Sequence, residues 1–291
     1  MTQAAVALAA GEARLAIARR GAEAIAWSVG GVELLWPGDP AIWRDISPIL
    51  YPVVGWTRDG ARVGGRRYRL GLHGFAASED FAIESADGGF ARLTLRDNAK
   101  TRALYPFAFA LAVEYRLDGA ALEITLEVAN SGEAPAPYAC GLHPGFRWPF
   151  AGAERAGACV RFEKDEPAYV PAIAPGGLIG ARTRAIPLKG NALPLEDETF
   201  ASDALCFLDP ASRSLRFEQG DGSAIAMDFS GFGKAALWAR PGARFLCLEA
   251  WTGYSDPEGF AGDLFEKPAM RALAPGERAR HRAVYRYFAA P

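Results

Sequence analysis

The stretch FAFALAVEYRLDGAALEITLEV, residues 107–128, decides the architecture. Phe107, Phe109, Leu111, Val113 and Tyr115 recur at every second position, and Leu122, Ile124, Leu126 and Val128 do the same after Leu117-Asp118-Gly119-Ala120. A period of two puts each apolar set on one face of a strand, leaving Glu123, Thr125 and Glu127 on the other. The Asp-Gly step supplies a turn, so the two runs predict an antiparallel hairpin of half-buried strands.

Similar short strands read outward from this hairpin: Ala91–Leu95, Leu215–Gln219, Ala224–Phe229, Ala235–Ala239, Phe245–Glu249 and Ala283–Phe288, with Val6–Leu8 and Ala13–Ile17 near the start. Helical patterning is thin, and short strands separated by turn signals mean an all-β sandwich or barrel. The 32 glycines and 20 prolines are spread along the whole chain, and no linker or internal repeat divides it, so residues 1–291 read as one domain.

Half of the residues are hydrophobic, 23% are charged, and the net charge is −2, without a basic or acidic block. This balance suits a buried core and argues against nucleic acid or anionic membrane as a partner. The first twenty residues are broken by Glu12, Arg14, Arg19 and Arg20 and do not read as a secretory signal. Nor does any apolar run reach the roughly 18 to 20 residues of a membrane helix. Cys140, Cys159, Cys206 and Cys247 have neither zinc-ribbon nor disulfide-framework spacing, so a cytoplasmic location is expected. The large excess of arginine over lysine, in so alanine-rich a chain, reads as genome composition.

Two of the three histidines lie among glycine, proline and aromatic residues, in Leu72-His73-Gly74-Phe75 and Gly141-Leu142-His143-Pro144-Gly145-Phe146. Small neighbours let a loop histidine approach a ligand; the plainer role is a turn histidine bonded to a nearby carbonyl. His281, in an arginine-rich segment, reads as structural or solvent-exposed. Glu249 ends an apolar strand beside Trp251. A carboxylate there is either a desolvated proton-transfer group or the partner of an arginine at a sheet edge. Of seven tryptophans most belong in a core, but Trp148 and Trp251, next to the candidates, offer aromatic faces of the kind that hold a sugar ring.

The ordered set Ile49-Leu-Tyr-Pro52-Val-Val-Gly55, Asp59-Gly60, Gly65, Tyr68, His73-Gly-Phe-Ala, Tyr105-Pro-Phe, Gly141-Leu-His143-Pro and Cys247-Leu-Glu249-Ala-Trp251 resembles the aldose 1-epimerase (galactose mutarotase-like) superfamily. Glu266-Lys267, Leu273 and Pro275-Gly276-Glu277 agree, and the resemblance runs from about Trp36 to the C-terminus. It implies a single large antiparallel β-sandwich of the supersandwich type, binding a monosaccharide in a groove across one sheet. It also implies Glu249 as the base at the anomeric hydroxyl, His143 as the acid at the ring oxygen, and His73 steadying that oxygen. Arg58 and Asp203 are implied as contacts to sugar hydroxyls, with Trp251 beside them. Two positions depart from the pattern: Trp56 and Ala77 stand where relatives often carry arginine.

The implied reaction interconverts the α and β anomers of an aldose by acid/base ring opening and closure, without metal or other cofactor, in a monomer or homodimer. Three alternatives stand beside it. His73, His143 and Glu249 are also the residue types of a two-histidine, one-carboxylate metal site. The fold also suits a non-catalytic carbohydrate-binding or regulatory protein, for which an acid and a base on opposite sides of one ring would be superfluous. A hexose-6-phosphate epimerase needs a cationic cluster, and here the cations near the motifs are Arg58, Arg147 and Lys267, so a neutral aldose is expected instead.

Overall fold

A computed structural model describes residues 4–291; Met1–Gln3, and with them the very start of the segment read for a leader, lie outside the described residues. Strands Phe109–Asp118 and Ala121–Asn130 pair antiparallel, with Leu111 opposite Val128, Val113 opposite Leu126 and Tyr115 opposite Ile124. The first of them begins two residues later than the alternation suggests. Ahead of it runs a short helix, Ala99–Leu104, which the sequence reading did not anticipate. Asn98 caps it, its side chain accepting from the Lys100 and Thr101 amides while Thr101 Oγ1 accepts from the Asn98 amide. Pro106, lacking an N–H, then delays entry into the ladder.

The hairpin lies within a nine-stranded sheet whose order is Ala192–Pro194, Cys159–Phe162, Ser214–Glu218, Ala224–Asp228, Arg278–Phe288, Ala121–Asn130, Phe109–Asp118, Phe90–Arg96 and Ala82–Asp87. A second sheet runs Leu205–Phe207, Lys234–Trp238, Phe245–Trp251, Gly141–Leu142 and Ile49–Leu50, with Gly145–Arg147 also paired to Phe245–Trp251. Every pairing in both sheets is antiparallel. One continuous cluster of buried side chains joins them, drawing Leu111, Val113 and Tyr285 from the first and Leu142, Leu246 and Leu248 from the second. This is the all-β antiparallel sandwich expected. The N-terminal strands Ala4–Ala10 and Ala13–Ala18 open a four-stranded meander that adds Leu8, Leu15 and Trp27 to the same core.

The outer face of the hairpin is less exposed than alternation implies. Thr125 is buried, and the acidic residues beside it are enclosed in an ionic lattice. Arg92 reaches Glu84 at 2.8 Å and Glu127 at 2.9 Å and also bonds Glu114, while Arg280 bonds Glu127 at 2.8 Å and Glu114 at 2.5 Å. Part of the arginine excess thus has structural work on this face, beyond genome composition. No helix among the described residues is long and apolar enough to cross a membrane.

Of the two roles expected for His281, structural or solvent-exposed, it has the structural one. It lies on the core side of strand Arg278–Phe288, with neighbouring Arg280 and Arg282 facing outward, and its ring joins the Tyr138 hydroxyl at 2.9 Å and the Gly231 carbonyl at 3.1 Å. Replacing it by asparagine should therefore leave the Tyr138 hydroxyl unpartnered in the interior. The expected loss is about 1 to 3 kcal/mol of unfolding free energy. Urea titration of His281→Asn against wild type measures it, and a difference within about 0.5 kcal/mol would show that the bridge is dispensable.

Candidate active site

Strand Phe245–Trp251 is buried along its whole length because it lies in the middle of the second sheet. Leu246, Leu248 and Ala250 face the sandwich core, so Phe245, Cys247, Glu249 and Trp251 must face the other way. Glu249 is therefore no sheet-edge residue paired to an arginine. It stands opposite Ala236 on one side. On the other, the neighbouring strand is interrupted between Gly141–Leu142, which pairs with Ala250 and Trp251, and Gly145–Arg147, which pairs with Phe245 through Cys247. His143 and Pro144 fill that gap. A proline cannot donate to the ladder, so the interruption brings the histidine beside the carboxylate.

His143 Nε2 lies 3.2 Å from Glu249 Oε2, and Trp251 Nε1 donates to the same oxygen at 3.1 Å. Glu249 is 1% exposed and His143 9%. Burial holds the Glu249 carboxyl well above the usual carboxylate range; the Trp251 N–H opposes this and the Asp203 charge adds to it. Burial, with His73 nearby, holds the His143 imidazole well below its ordinary value. The two shifts have one largest cause, the cost of burying a charge. His143 Nδ1 is buried without a partner.

His73 stands at φ 59°, a left-handed conformation uncommon for a residue with a side chain. Its Nδ1 accepts the Gly55 amide at 3.0 Å, which assigns the ring proton to Nε2 and makes that nitrogen a donor. The His73 and His143 rings meet edge to face at 5.4 Å. Trp43 covers His143, with centroids 5.2 Å apart, and stacks on Phe245, while Trp238 stands at right angles to both Trp43 and His143. The indole of Trp43 comes so close to Gly145 that a Cβ there would lie 2.6 Å from its ring, so only glycine fits.

These groups line a cavity of about 410 Å³. Of the six residues singled out from the sequence, Glu249, His143, His73, Trp251 and Asp203 are brought together in its wall. Arg58 is not: it is exposed outside the lining, tied by its backbone amide to Asp256 Oδ2 at 2.7 Å. Trp148 also departs from its expected role. It is packed in the core against Phe217 and under the Arg155 guanidinium. Lys267 is consumed in a buried ion pair with Asp256 at 2.6 Å. The cation that does line the cavity is Arg240, whose guanidinium has no hydrogen bond or ion pair among the described residues. Trp43, Trp56 and Trp238 line it as well; Trp56 was marked from sequence only as a departure from the motif, and Trp43 and Trp238 were not singled out, because nothing in local patterning separates a cavity indole from a core one.

A larger concavity of about 500 Å³ on the outer face of the nine-stranded sheet holds no histidine and no buried carboxylate. As for metal ligands, the residues that converge are His143, Cys247 and Glu249, with donor atoms within 4.8 Å of one another, and not the trio with His73. Burial raises the thiol of Cys247 as it raises the carboxyl of Glu249, and a metal held here would have to displace both protons.

A family model described as aldose 1-epimerase matches residues 5–286. The chromosomal protein LacX of Lactococcus lactis subsp. lactis is 29% identical over 257 residues, spanning 84% of this chain and 86% of LacX. Among solved structures, a galactose mutarotase related enzyme from Lactobacillus acidophilus superposes with a TM-score of 0.89 at 25% identity, covering 98% of this chain and 97% of that one. A galactose mutarotase-like protein from Lactobacillus casei gives the same TM-score and identity, with 97% and 99% covered.

The buried histidines make stability depend on pH. Burial holds His73 at about 4 against its ordinary 6.5. A base whose folded-state value is lowered takes up its proton on unfolding, so its contribution is complete above about 6.5 and is lost as pH falls toward about 4. Urea midpoints at pH 7 and pH 5 should show a shallower acid loss for His73→Asn, which keeps an acceptor near the Nδ1 position, than for wild type. An equal loss in both proteins would mean that His73 is not held neutral.

Proposed function

The chain belongs to the aldose 1-epimerase family, and on that premise we propose that it interconverts the α and β anomers of a free aldose, with Glu249 as base and His143 as acid. The observation that carries this reading is the buried Glu249–His143 contact of 3.2 Å in the wall of an indole-lined cavity. An acid and a base on opposite sides of a ring, as the sequence reading supposed, would stand apart. Here they touch, and this suits the chemistry, because the anomeric hydroxyl oxygen and the ring oxygen are bonded to the same carbon. Two adjacent groups reach both.

The shared proton gives a closed cycle. In the charge-separated form, the Glu249 carboxylate takes the proton from the anomeric hydroxyl while the His143 imidazolium gives one to the ring oxygen. The C1–O5 bond breaks, the aldehyde forms, and the pair is left as carboxylic acid and neutral imidazole. Rotation about C1–C2 turns the aldehyde over, and closure runs the same transfers backward on the other face. The pair holds one proton at every stage, so no exchange with solvent is required. The Trp251 N–H stabilises the carboxylate form that burial alone disfavours. His73 Nε2 is a fixed donor for the ring oxygen or a neighbouring hydroxyl, and Asp203 an acceptor for hydroxyls. Every transfer runs between side chains and substrate, so the proposed cycle uses no cofactor. The cysteines, all free thiols, suit the proposed cytoplasmic setting.

Glu249→Gln and His143→Asn should each lower turnover by about 10² to 10⁴, the contribution of a positioned proton-transfer group. Polarimetry on freshly dissolved anomers, over a panel of aldoses, measures this. Near wild-type rates in either variant would remove that residue from the mechanism. Activity should also persist after chelator treatment, and its loss with restoration by zinc would favour a metal held by His143, Cys247 and Glu249 instead.

Because Arg240 is the one cation lining the cavity among the described residues, neutral aldoses should be preferred over their 6-phosphates. The comparison is kcat/KM for glucose, galactose and glucose 6-phosphate. A tenfold preference for the phosphate, abolished in Arg240→Ala, would overturn this expectation and identify the residue responsible.

A further inference from the structure

Cys247 takes no part in the proposed proton transfers, yet it stands two residues before Glu249 on the same face of strand Phe245–Trp251. It is a fully buried free thiol, packed in a cluster with Trp36, Phe245, Trp43 and Trp238. His143 fills the interruption of the neighbouring strand, between Leu142 opposite Ala250 and Gly145 opposite Cys247. A thiol, an imidazole and a carboxyl thus converge from two adjacent strands, with a donor atom on each within 4.8 Å of the others.

The separations suit one ion. Tetrahedral zinc takes nitrogen and oxygen at about 2.0 to 2.2 Å and sulfur at about 2.3 Å, which sets its nitrogen and oxygen about 3.3 Å apart and its sulfur about 3.6 Å from each. His143 Nε2 and Glu249 Oε2 already stand 3.2 Å apart. Against the 4.8 Å limit, the thiol has at most about 1.2 Å to close. The ligand set also balances charge. As a divalent ion enters, the protons that the thiol and carboxyl hold pass to solvent, and one thiolate, one carboxylate and one neutral imidazole leave the buried site without net charge. Sulfur and imidazole select zinc or cobalt over magnesium and calcium, which take oxygen. His143 and Glu249 line the cavity, so the ion has a way in and its fourth ligand comes from the cavity side.

We propose that His143, Cys247 and Glu249 form an inhibitory site for a thiophilic divalent cation such as zinc. The ion takes Nε2 of His143 and a carboxylate oxygen of Glu249, the groups that the anomerase reading makes acid and base, and neither can then move a proton. Inhibition rests on that reading, and binding does not. The site suits reversible occupation and not a resident cofactor. With Nε2 on the ion, His143 Nδ1 is the nitrogen that an outer acceptor ordinarily holds, and it is buried without a partner. Lacking that outer bond costs about 10- to 100-fold in affinity. A chelator therefore leaves activity intact, and added zinc removes it.

The test uses the full chain freed of metal by chelator, with Co²⁺ and Zn²⁺ as probes, in wild type, in Cys247→Ala and in the double variant Cys159→Ser, Cys206→Ser. The double variant is the control, because Cys206 lines the cavity two strands from Glu249, across Ala236, and Cys159 is the partly exposed thiol. Wild type should take up one Co²⁺ per chain, with the visible bands of a tetrahedral ion and a thiolate charge-transfer band in the near ultraviolet, and Zn²⁺ should displace it. Cys247→Ala should lose the thiolate band and bind at least about tenfold more weakly, since a direct ligand is worth no less than an outer partner. In polarimetry, Zn²⁺ should abolish wild-type turnover, and chelator should restore it. Cys247→Ala should need about tenfold more Zn²⁺ or beyond for the same inhibition, while the double variant stays as sensitive as wild type. No thiolate band in wild type, equal zinc sensitivity in wild type and Cys247→Ala, or sensitivity lost in the double variant overturns the site. Should Cys247→Ala not fold, the double variant's spectrum decides: a thiolate band kept there supports the site and its loss overturns it. If no sugar is turned over, the anomerase reading has failed and the Co²⁺ spectra alone judge the site by the same criterion.

Discussion

The constraint on which this site depends is a carboxyl group in the middle of a fully buried strand. Taking an ionised carboxylate out of water costs several kcal/mol unless it is paired and hydrogen-bonded. Glu249 has two neighbours that meet the cost in different ways. Trp251, two residues along the same strand face, supplies a neutral donor. His143 supplies a base to share the proton, and it can stand there only because Pro144 interrupts the adjoining strand. The aromatic enclosure follows from the same demand. Trp43, Trp238 and Phe245 surround the pair with surfaces that carry no charge, which keeps the shared proton from escaping into a hydrated ion.

The surrounding sandwich provides the rigidity this requires. Strand Phe245–Trp251 is bonded on both sides and packs on a core drawn from both sheets, so the backbone under Glu249 has little freedom. The ionic lattice of Arg92, Arg280, Glu114 and Glu127 lies on the outer face of the nine-stranded sheet, away from the cavity. Its partly exposed pairs act collectively, since single surface pairs contribute at most about 1 kcal/mol. The lattice thus holds its charges on the outside of the sandwich, while burial disfavours charge on Glu249 and on His143 in the cavity wall.

Much of this was legible in the sequence, and the reason differs from element to element. The hairpin of residues 107–128 declares itself because one face is apolar and the other is not. The histidines and the glutamate are conspicuous among glycine and apolar neighbours, but their assignment as catalytic candidates came from the ordered family motifs around them. What stayed hidden depends on tertiary position. His281 sits among arginines in sequence yet points inward, since alternation separates it from Arg280 and Arg282. Arg58 follows the motif closely but falls outside the cavity, its local backbone being turned by the bond to Asp256. Trp43 and Trp238 have no local mark that distinguishes them from Trp27 or Trp148 in the core, and Trp56 was marked only as a departure from the motif. Arg240 lies on no motif at all.

Asp256 draws these distant parts of the chain together. One oxygen accepts the amide of Arg58, 198 positions earlier, the other holds Lys267, and its backbone bonds Trp56 and Ile179. During synthesis the loop that carries Gly55 and presents His73 leaves the ribosome long before residue 256 exists. Loop closure over such a separation is entropically costly and slow. The cavity wall is accordingly a late product of folding, and a chain stopped anywhere before its last quarter would lack the post to which this wall is moored. The His73 side of the cavity, though encoded in the first quarter of the chain, is built by its end.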